Sequence, residues 1–576
     1  MRTSVGLVVA LLVVLAGCSA PLGSSGDGGG STTGAPGDAG TATGSTSETS
    51  GGEGPSTTAT GTEIRTGTGT TGSETTTGDL ADPASDRLGW ENGRWYNESL
   101  SVDNSDGLNA SERGAVINRT MARIEVVRQL EYENPIPVDV ISRETYRSQA
   151  GSGEVPPPFR AFDNAKFEAM FFVGEETDSL EVQDRNRGSS VLGYYAPSND
   201  SIVVVSESAA PQLEAGTLAH ELTHALQDQH FDLTDDPART RDAYNARNGL
   251  IEGAANVVQR RYEQRFEDGW ATDGIGGSNG SESGGSGENR SGSQLHYGIY
   301  FLEFFPYSDG PGFITSLYEQ GGWEAVNAAH QDFPASAEQV IYPRLYGQEP
   351  PANVTVRDQS SRAWERVRPR SPRPGQDQPP YAVLGQSALS SMFAYTLFDV
   401  RSGMGYNQSA VVRPGQVINR GGEGQGANSS DPLNYDLPAT QGWDGDKMYV
   451  YRNSEDETGY VWKLAWDSPA EAEQFATRYE DLLSHWGGDE VSESGATSTW
   501  VVEEASPFTD AIRVQIEDDR VTITNAPTVE DRQSMDATTI PLPGDRSYAA
   551  SNVRQTVRRT RRTVKAERVR EHGMKT

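Results

Sequence analysis

The stretch His220-Glu221-Leu222-Thr223-His224, inside the run Thr217 to His230, constrains this chain more than any other. Residues four apart on a helix point the same way. His220 and His224 therefore stand one turn apart and can grip one metal ion with two neutral imidazoles. Glu221 lies about 100° round the helix from His220, placed to hold a metal-bound water. This is the H-E-x-x-H pattern of zinc hydrolases. Leu218, Leu222 and Ala225 fall on the side opposite His220, flanked by Leu226. The helix is expected to bury that face and turn the histidines to a cleft. With 7 histidines in the chain, chance is a poor source of the pattern. Two bland readings remain beside it: histidines that only hydrogen-bond in a core, and a metal site kept after activity was lost.

A zinc hydrolase needs a third protein ligand and an open fourth position for water. The run Leu250 to Val258 predicts a second helix, after a polar loop over Asp232 to Asn245. Glu252 falls just inside its start, and Gly253, Ala254 and Ala255 beside it would let helices approach closely. An ordinary helix-start glutamate, favoured there by the helix dipole, is the alternative. Asn256, one turn further, could hydrogen-bond a ligand histidine. His230 is the rival third ligand, spaced from His220 and His224 as in the pattern H-E-x-x-H-x-x-G-x-x-H. That pattern needs a glycine where this chain has Gln227. On a continued helix His230 points about 120° away from His224. Asp232 and Asp242 are the remaining candidates. For a donor to a developing oxyanion, Tyr342, His296 and Tyr297 are candidates, each with an ordinary structural role as the alternative.

The formal charge is −34. The lysines are Lys166, Lys447, Lys463, Lys565 and Lys575, the remaining basic residues being arginine. Such acidity keeps a protein soluble at the cost of self-repulsion that salt screens, so it reads as adaptation to high salt. It argues against nucleic acid or an anionic membrane as a partner of the main body. Residues 1–18 carry Arg2, an apolar run from Val5 to Ala16, and Leu15-Ala16-Gly17-Cys18. The run is too short to span a bilayer as a mature helix and has the form of a signal peptide. Leu-Ala-Gly-Cys resembles a lipobox, in which cleavage before Cys18 accompanies lipidation of its sulfur; an ordinary cleaved signal ending near Ala20 is the alternative. Cys18 is the only cysteine, so no intramolecular disulfide is possible. Both readings export the protein, and the first places it on the outer face of the cell membrane. Residues 19–85 are mostly Gly, Ser, Thr, Asp and Glu, too poor in apolar groups to offset ordering entropy. They read as a disordered tether, a carrier for O-glycans.

Order is expected from about residue 86. Ala110 to Tyr132 predicts a helix and Val138 to Ile141 a strand; Phe167 to Val173 is a short apolar stretch. Val191 to Tyr195 and Ser201 to Val205 predict a hairpin across Ala196 to Asp200, leading into the His220 helix. Residues 269–294 read as a Gly/Ser-rich surface loop. Tyr300 to Tyr307 is apolar, Gly312 to Tyr318 predicts a helix that Gly321-Gly322 closes, and Trp323 to Ala329 starts another. Arg362 to Pro380 reads as a linker or extended arm, Ala382 to Phe398 as a helix, and 409–438 as a linker. Residues 439–527 predict an accessory β-β-α-β-β-β domain with its helix, Pro469 to Leu483, on an antiparallel sheet. His485 there reads as structural. The tail 528–576 ends with 9 basic residues between Arg554 and Lys575, either a solvated tail or a dock for an acidic surface layer. Sequons at Asn97, Asn109, Asn118, Asn199, Asn279, Asn289, Asn353, Asn407 and Asn428 suit an exported protein.

His220 to Phe231, Glu252-Gly253-Ala254, Tyr318-x-x-Gly321-Gly322-Trp323 and Glu338-Gln339 together resemble gluzincin-like surface lipoproteins of haloarchaeal type, with bacterial relatives. The resemblance covers roughly 88–525. It implies an α+β chain whose residues 86–408 form a zincin-like domain: a small antiparallel-containing sheet, the H-E-x-x-H helix and a mostly helical second half. It implies His220, His224 and Glu252 as ligands of Zn2+ and Glu221 as general base. Those relatives tend to carry His-Pro after the Glu-Gln pair, where this chain has Tyr342-Pro343, so Tyr342 would have to replace that histidine. The expected function is hydrolysis of peptide bonds in a peptide or protein substrate, with Ser201 to Val205 read either as the edge of the cleft or, equally in keeping with its apolar character, as a buried strand. The alternative is a cell-surface interaction protein whose zinc is structural or vestigial.

Overall fold

A computed structural model shows how these segments assemble. It describes residues 82–535 except 104, 151–154, 191–192, 198, 207–212, 235–237, 268–269, 271–294, 373–377, 399–409, 422–426, 429 and 504–505. The signal sequence, Cys18, the tether to residue 81 and the basic tail lie outside the described residues. So do the sequons at Asn279, Asn289 and Asn407. From Pro83 onward the described residues fall in one contact unit. The class is mixed α+β: a helical region over 110–340 and a seven-stranded antiparallel sheet within 364–526.

The helical region opens with a two-stranded ribbon, β1 (Trp90–Glu91) and β2 (Arg94–Trp95), and helix α1 (Ala110–Arg128). Asn109 caps α1 in a capping box: its Oδ1 accepts from the Ser111 and Glu112 amides, and Glu112 accepts from the Asn109 amide. Strand β3 (Val138–Ile141) follows, then α2 (Arg143–Ala150), α3 (Pro157–Ala169) and α4 (Ser179–Ser190). The apolar stretch at Phe167 to Val173 is therefore the end of α3 and the chain leaving it. Strands β4 (Gly193–Ala196) and β5 (Ser201–Val205) form the expected antiparallel hairpin. The sheet order is β3-β5-β4, with β5 parallel to β3. Of the two readings of Ser201 to Val205, cleft edge and buried strand, the pairing selects the second: β5 is the middle strand, and β3 and β4 are the edges. The continuous apolar run Ile202-Val203-Val204-Val205 lacks the alternation of a half-exposed strand, and it suits a strand flanked on both sides.

Next come α5 (Ala215–Phe231), carrying His220 and His224, and α6 (Arg241–Glu267), carrying Glu252. The second is longer than its sequence suggests. Arg241 to Asn248 is polar and its first part, to Asn245, reads as loop, yet it is helical because its polar groups find distant partners. Asp242 accepts from the Ala337 amide, Asn245 donates to Ser387 Oγ at 2.8 Å, and Arg247 donates to the Leu233 carbonyl. Glu252 consequently lies mid-helix, not at a helix start. Helices α7 (Tyr297–Ser308) and α8 (Gly310–Ala329) pack against α6. A Cβ on Gly253 would stand 2.5 Å from the Gly310 carbonyl, so two glycines let the backbones of α6 and α8 touch beside Glu252. Helix α8 breaks at Gly321-Gly322, where Gly322 takes φ 65°, as the expectation of two helices requires. The break lets the Trp323 indole donate to the Val127 carbonyl at 2.8 Å. The short α9 (Ala337–Ile341) ends the region.

The sheet order is β6-β7-β8-β12-β11-β10-β9, every neighbour antiparallel. Its first strand, β6 (Trp364–Arg366), comes from the stretch expected to be a linker. Helix α10 (Gly385–Tyr395) precedes the rest: β7 (Trp443–Asn453), β8 (Thr458–Trp466), α12 (Pro469–His485), β9 (Gly488–Ser494), β10 (Thr497–Val502), β11 (Ala511–Glu517) and β12 (Arg520–Ala526). Between them, α11 (Pro414–Val417) is a single turn, and α13 (Val529–Met535) closes the described chain. Strand β9, Gly-Asp-Glu-Val-Ser-Glu-Ser, was not expected. Both unexpected strands of this sheet, β6 and β9, are its edges, where charged residues are tolerated and apolar patterning fades. Helix α12 packs Phe475, Tyr479, Leu482 and Leu483 into the core. One apolar cluster runs from Leu100 to Ile523 through both regions. No described helix is long and apolar enough to cross a membrane.

Candidate metal centre

Helix α5 is held firmly before it holds anything else. The Glu214 side chain caps its start by accepting from the Gly216 and Thr217 amides. Leu218, Leu222, Ala225 and Leu226 are buried as expected. The opposite face is covered too: His220 is 2% exposed and His224 6%. Helix α6 lies over that face, and the Tyr307 ring stacks on the His220 ring at 6.3 Å. Both imidazoles are thus buried among helices α5, α6 and α7.

Three ligand atoms converge there. His220 Nε2 and His224 Nε2 are 3.1 Å apart, and each is 3.2 Å from Glu252 Oε2. Tetrahedral donors bound at zinc's usual distances would stand about 3.3 Å from one another. The trio therefore closes on a space the size of a single small cation, and its donors are of a kind that zinc takes. Among the described residues it is one of two clusters able to hold a metal. Burial works against charge at each member, but the members outweigh it. Burial would raise Glu252, and His224 with His220 pull its pKa below the usual carboxylate range. Burial would lower His224, and Glu252 raises it above the usual imidazole range. A carboxylate thus faces two imidazoles, a pairing of charge that a bound cation would take over.

Glu221 is 2% exposed, and its Oε2 accepts from the Tyr195 amide at 2.9 Å. The Tyr195 hydroxyl donates to Asp228 Oδ2 at 2.8 Å. Edge strand β4 is therefore pinned to α5 at two points, and one of them orients the carboxylate next to His220.

The other sequence candidates lie elsewhere. His230 still belongs to α5, and its Nε2 donates to the Glu131 carbonyl at 2.8 Å. Asp232 takes a left-handed conformation at the helix end and accepts from Thr234. Asp242 holds the Ala337 amide. Asn256 Nδ2 donates back to the Glu252 carbonyl at 2.9 Å, a bond within its own helix, so the contact to a ligand histidine expected of it is not the one it makes. Tyr342 donates its one proton to Asp436 Oδ1 and accepts from Gln386, which leaves no donor for an oxyanion. His296 caps α7, and burial lowers its pKa to about 4. Tyr297 stacks on Phe398. His485 lies edge-on to Trp486 at the end of α12.

Two residues were missed. Gln227 Oε1 accepts from His224 Nδ1 at 2.9 Å, and Gln227 Nε2 lies 3.3 Å from His330 Nε2. In the sequence Gln227 registered only as the residue that is not glycine, and His330 stands 103 residues on with no local motif.

Residues 370–536 match a family described as a domain of unknown function (DUF8575). The match takes in the sheet from β7 to β12 with helices α10 to α13, and it leaves the His-His-Glu trio outside. No curated protein and no solved structure matches the chain.

Proposed function

We propose that this protein is a zinc-dependent hydrolase of metallopeptidase type, exported, anchored through lipid on Cys18 to the outer face of the membrane, and acting on peptide or protein substrates. The observation that supports it most is the convergence of His220 Nε2, His224 Nε2 and Glu252 Oε2 within 3.2 Å, with Glu221 adjacent in the chain. Two imidazoles and a carboxylate make one of the donor sets of catalytic zinc sites, and three protein donors leave a position for water or substrate. Zinc, when bound, supplies a Lewis acid and brings the pKa of its water toward neutrality. Glu221, its carboxylate aimed by the Tyr195 amide, takes the proton of the attacking water and passes it to the leaving amine. Strand β4 is an edge of its sheet, and an extended substrate would pair with its backbone outside the Tyr195 amide, which Glu221 already engages.

A second reading, a surface interaction protein with a structural or vestigial metal, draws on the near-complete burial of His220, Glu221 and His224. One experiment separates the two. The full chain and Glu221→Gln are purified in high salt, assayed for zinc, and tested on a peptide library. The hydrolase reading expects one zinc in each and a loss of about 100- to 10,000-fold in turnover for the variant. Zinc in both with hydrolysis in neither selects the second reading.

A further inference from the structure

We infer that Gln227 and His330 are positioning residues for the metal site, forming a one-way hydrogen-bond relay that commits His224 to carrying its proton on Nδ1 and presenting Nε2 as the donor atom. This rests on the metal-site reading above and adds to it the means by which one ligand is oriented.

The direction of the relay follows from its two fixed ends. His330 Nδ1 lies 2.9 Å from the Val326 carbonyl, and Gln227 Nε2 lies 3.0 Å from the Ile251 carbonyl. A carbonyl can only accept. His330 must therefore carry its proton on Nδ1, which makes its Nε2 an acceptor. Gln227 must turn its amide nitrogen toward both Ile251 and His330 Nε2, and flipping the amide would set oxygen against acceptors at both contacts. Gln227 Oε1 then faces His224 Nδ1 at 2.9 Å and can only accept from it. The amide orientation and the histidine tautomers, ordinarily assignments left to a hydrogen-bond network, are here forced by main-chain groups of α6 and α8.

The surroundings keep His330 in the state the relay needs. Its ring is 3% exposed and stacks on Phe231 at 4.4 Å. Burial, with the guanidinium groups of Arg128 and Arg247 nearby, lowers its pKa to about 3, so it remains a neutral acceptor. Every member of the chain from Val326 to His224 is then satisfied, as a buried polar network must be if it is to hold one geometry. Ligand histidines are commonly oriented through their second ring nitrogen, and loss of such a partner typically costs 10- to 100-fold in metal affinity.

The test uses the full chain with Gln227→Leu and Gln227→Glu. Leucine removes the acceptor for His224 Nδ1. Glutamate keeps an acceptor there while disturbing the bonds to Ile251 and His330. Zinc affinity is read by competition with a chelator, the absorption of the cobalt-substituted protein is recorded, and thermal stability is measured alongside. The relay expects Gln227→Leu to lose about 10- to 100-fold in affinity with an altered cobalt spectrum, while Gln227→Glu keeps wild-type affinity despite lower stability. A residue with only a structural role would lower stability in both variants and leave affinity and spectrum alone, which would overturn the inference. The second readout is the nitrogen-15 spectrum of His330 in the metal-free full chain. A neutral Nδ1-H tautomer supports the relay, and an Nε2-H tautomer overturns it. Should the wild type take up no metal, the functional reading fails while the His330 tautomer still decides the relay.

Discussion

Among the described residues, two clusters each bring three ionisable groups within 4.8 Å of one another: His220, His224 and Glu252 in the helical region, and Glu168, Glu175 and Asp510 where α3 meets the loop before β11. They behave oppositely. In the first, a carboxylate among imidazoles is held below its ordinary pKa range in spite of burial. In the second, burial and then the neighbouring carboxylates raise Glu168 well above it. Proximity is the same, so the chemical kind of the neighbours decides the outcome. The first cluster is complementary in itself and braced by a relay of neutral groups. The second consists of like charges and is relieved by protonation.

The largest expected effect tests the complementary cluster. Glu252→Ala removes one of three donors, and the full chain should lose about 100-fold or more in zinc affinity, read by chelator competition. Zinc retained at wild-type affinity would move the third donor elsewhere and dissolve the comparison. A smaller effect tests the like-charged cluster through pH. The Glu168 carboxyl has a raised pKa in the fold, so the fold keeps a proton that the unfolded chain gives up above about pH 4.5. Its contribution to stability is therefore present below that pH and is lost as pH rises toward the folded value. Glu168→Gln should flatten this dependence: compared at constant salt, its melting temperature should gain on the wild type from pH 5 to pH 8. Parallel curves would show that the repulsion is not felt. The smallest effect concerns a residue outside both clusters. Tyr342→Phe removes a hydrogen bond to Asp436 and should cost about 1 kcal/mol of stability, with hydrolysis unchanged. A loss of turnover beyond the loss of stability would return Tyr342 to the site.

Much of the centre was legible because its signal is local. The four-residue spacing of His220 and His224 fixes their common face on any helix, and the apolar face behind them was read correctly. Glu252 was legible as a candidate through its small neighbours, and Gly253 does meet Gly310. The hairpin Gly193–Ala196 and Ser201–Val205 was legible from its turn. The strand that borders the site was not, because which strand of a sheet is the edge depends on pairing with β3, some sixty residues earlier in the chain. Strands β6 and β9 escaped because edge strands carry little apolar pattern.

The sequence by itself determined two of the candidate donors and the candidate base: a helix that sets two imidazoles and the Glu221 carboxylate in register, whatever packs around it. Tertiary structure decided what those groups experience. It extended α6 backward through a polar segment by giving Asp242 and Asn245 partners on helices α9 and α10 and Arg247 a partner in the turn at Leu233. It brought Glu252 onto the histidines, and it placed His330 at the far side of Gln227. The division has a physical cause. Helical register is a property of neighbours along the chain, whereas burial, partner identity and tautomer depend on groups that only the folded core brings together.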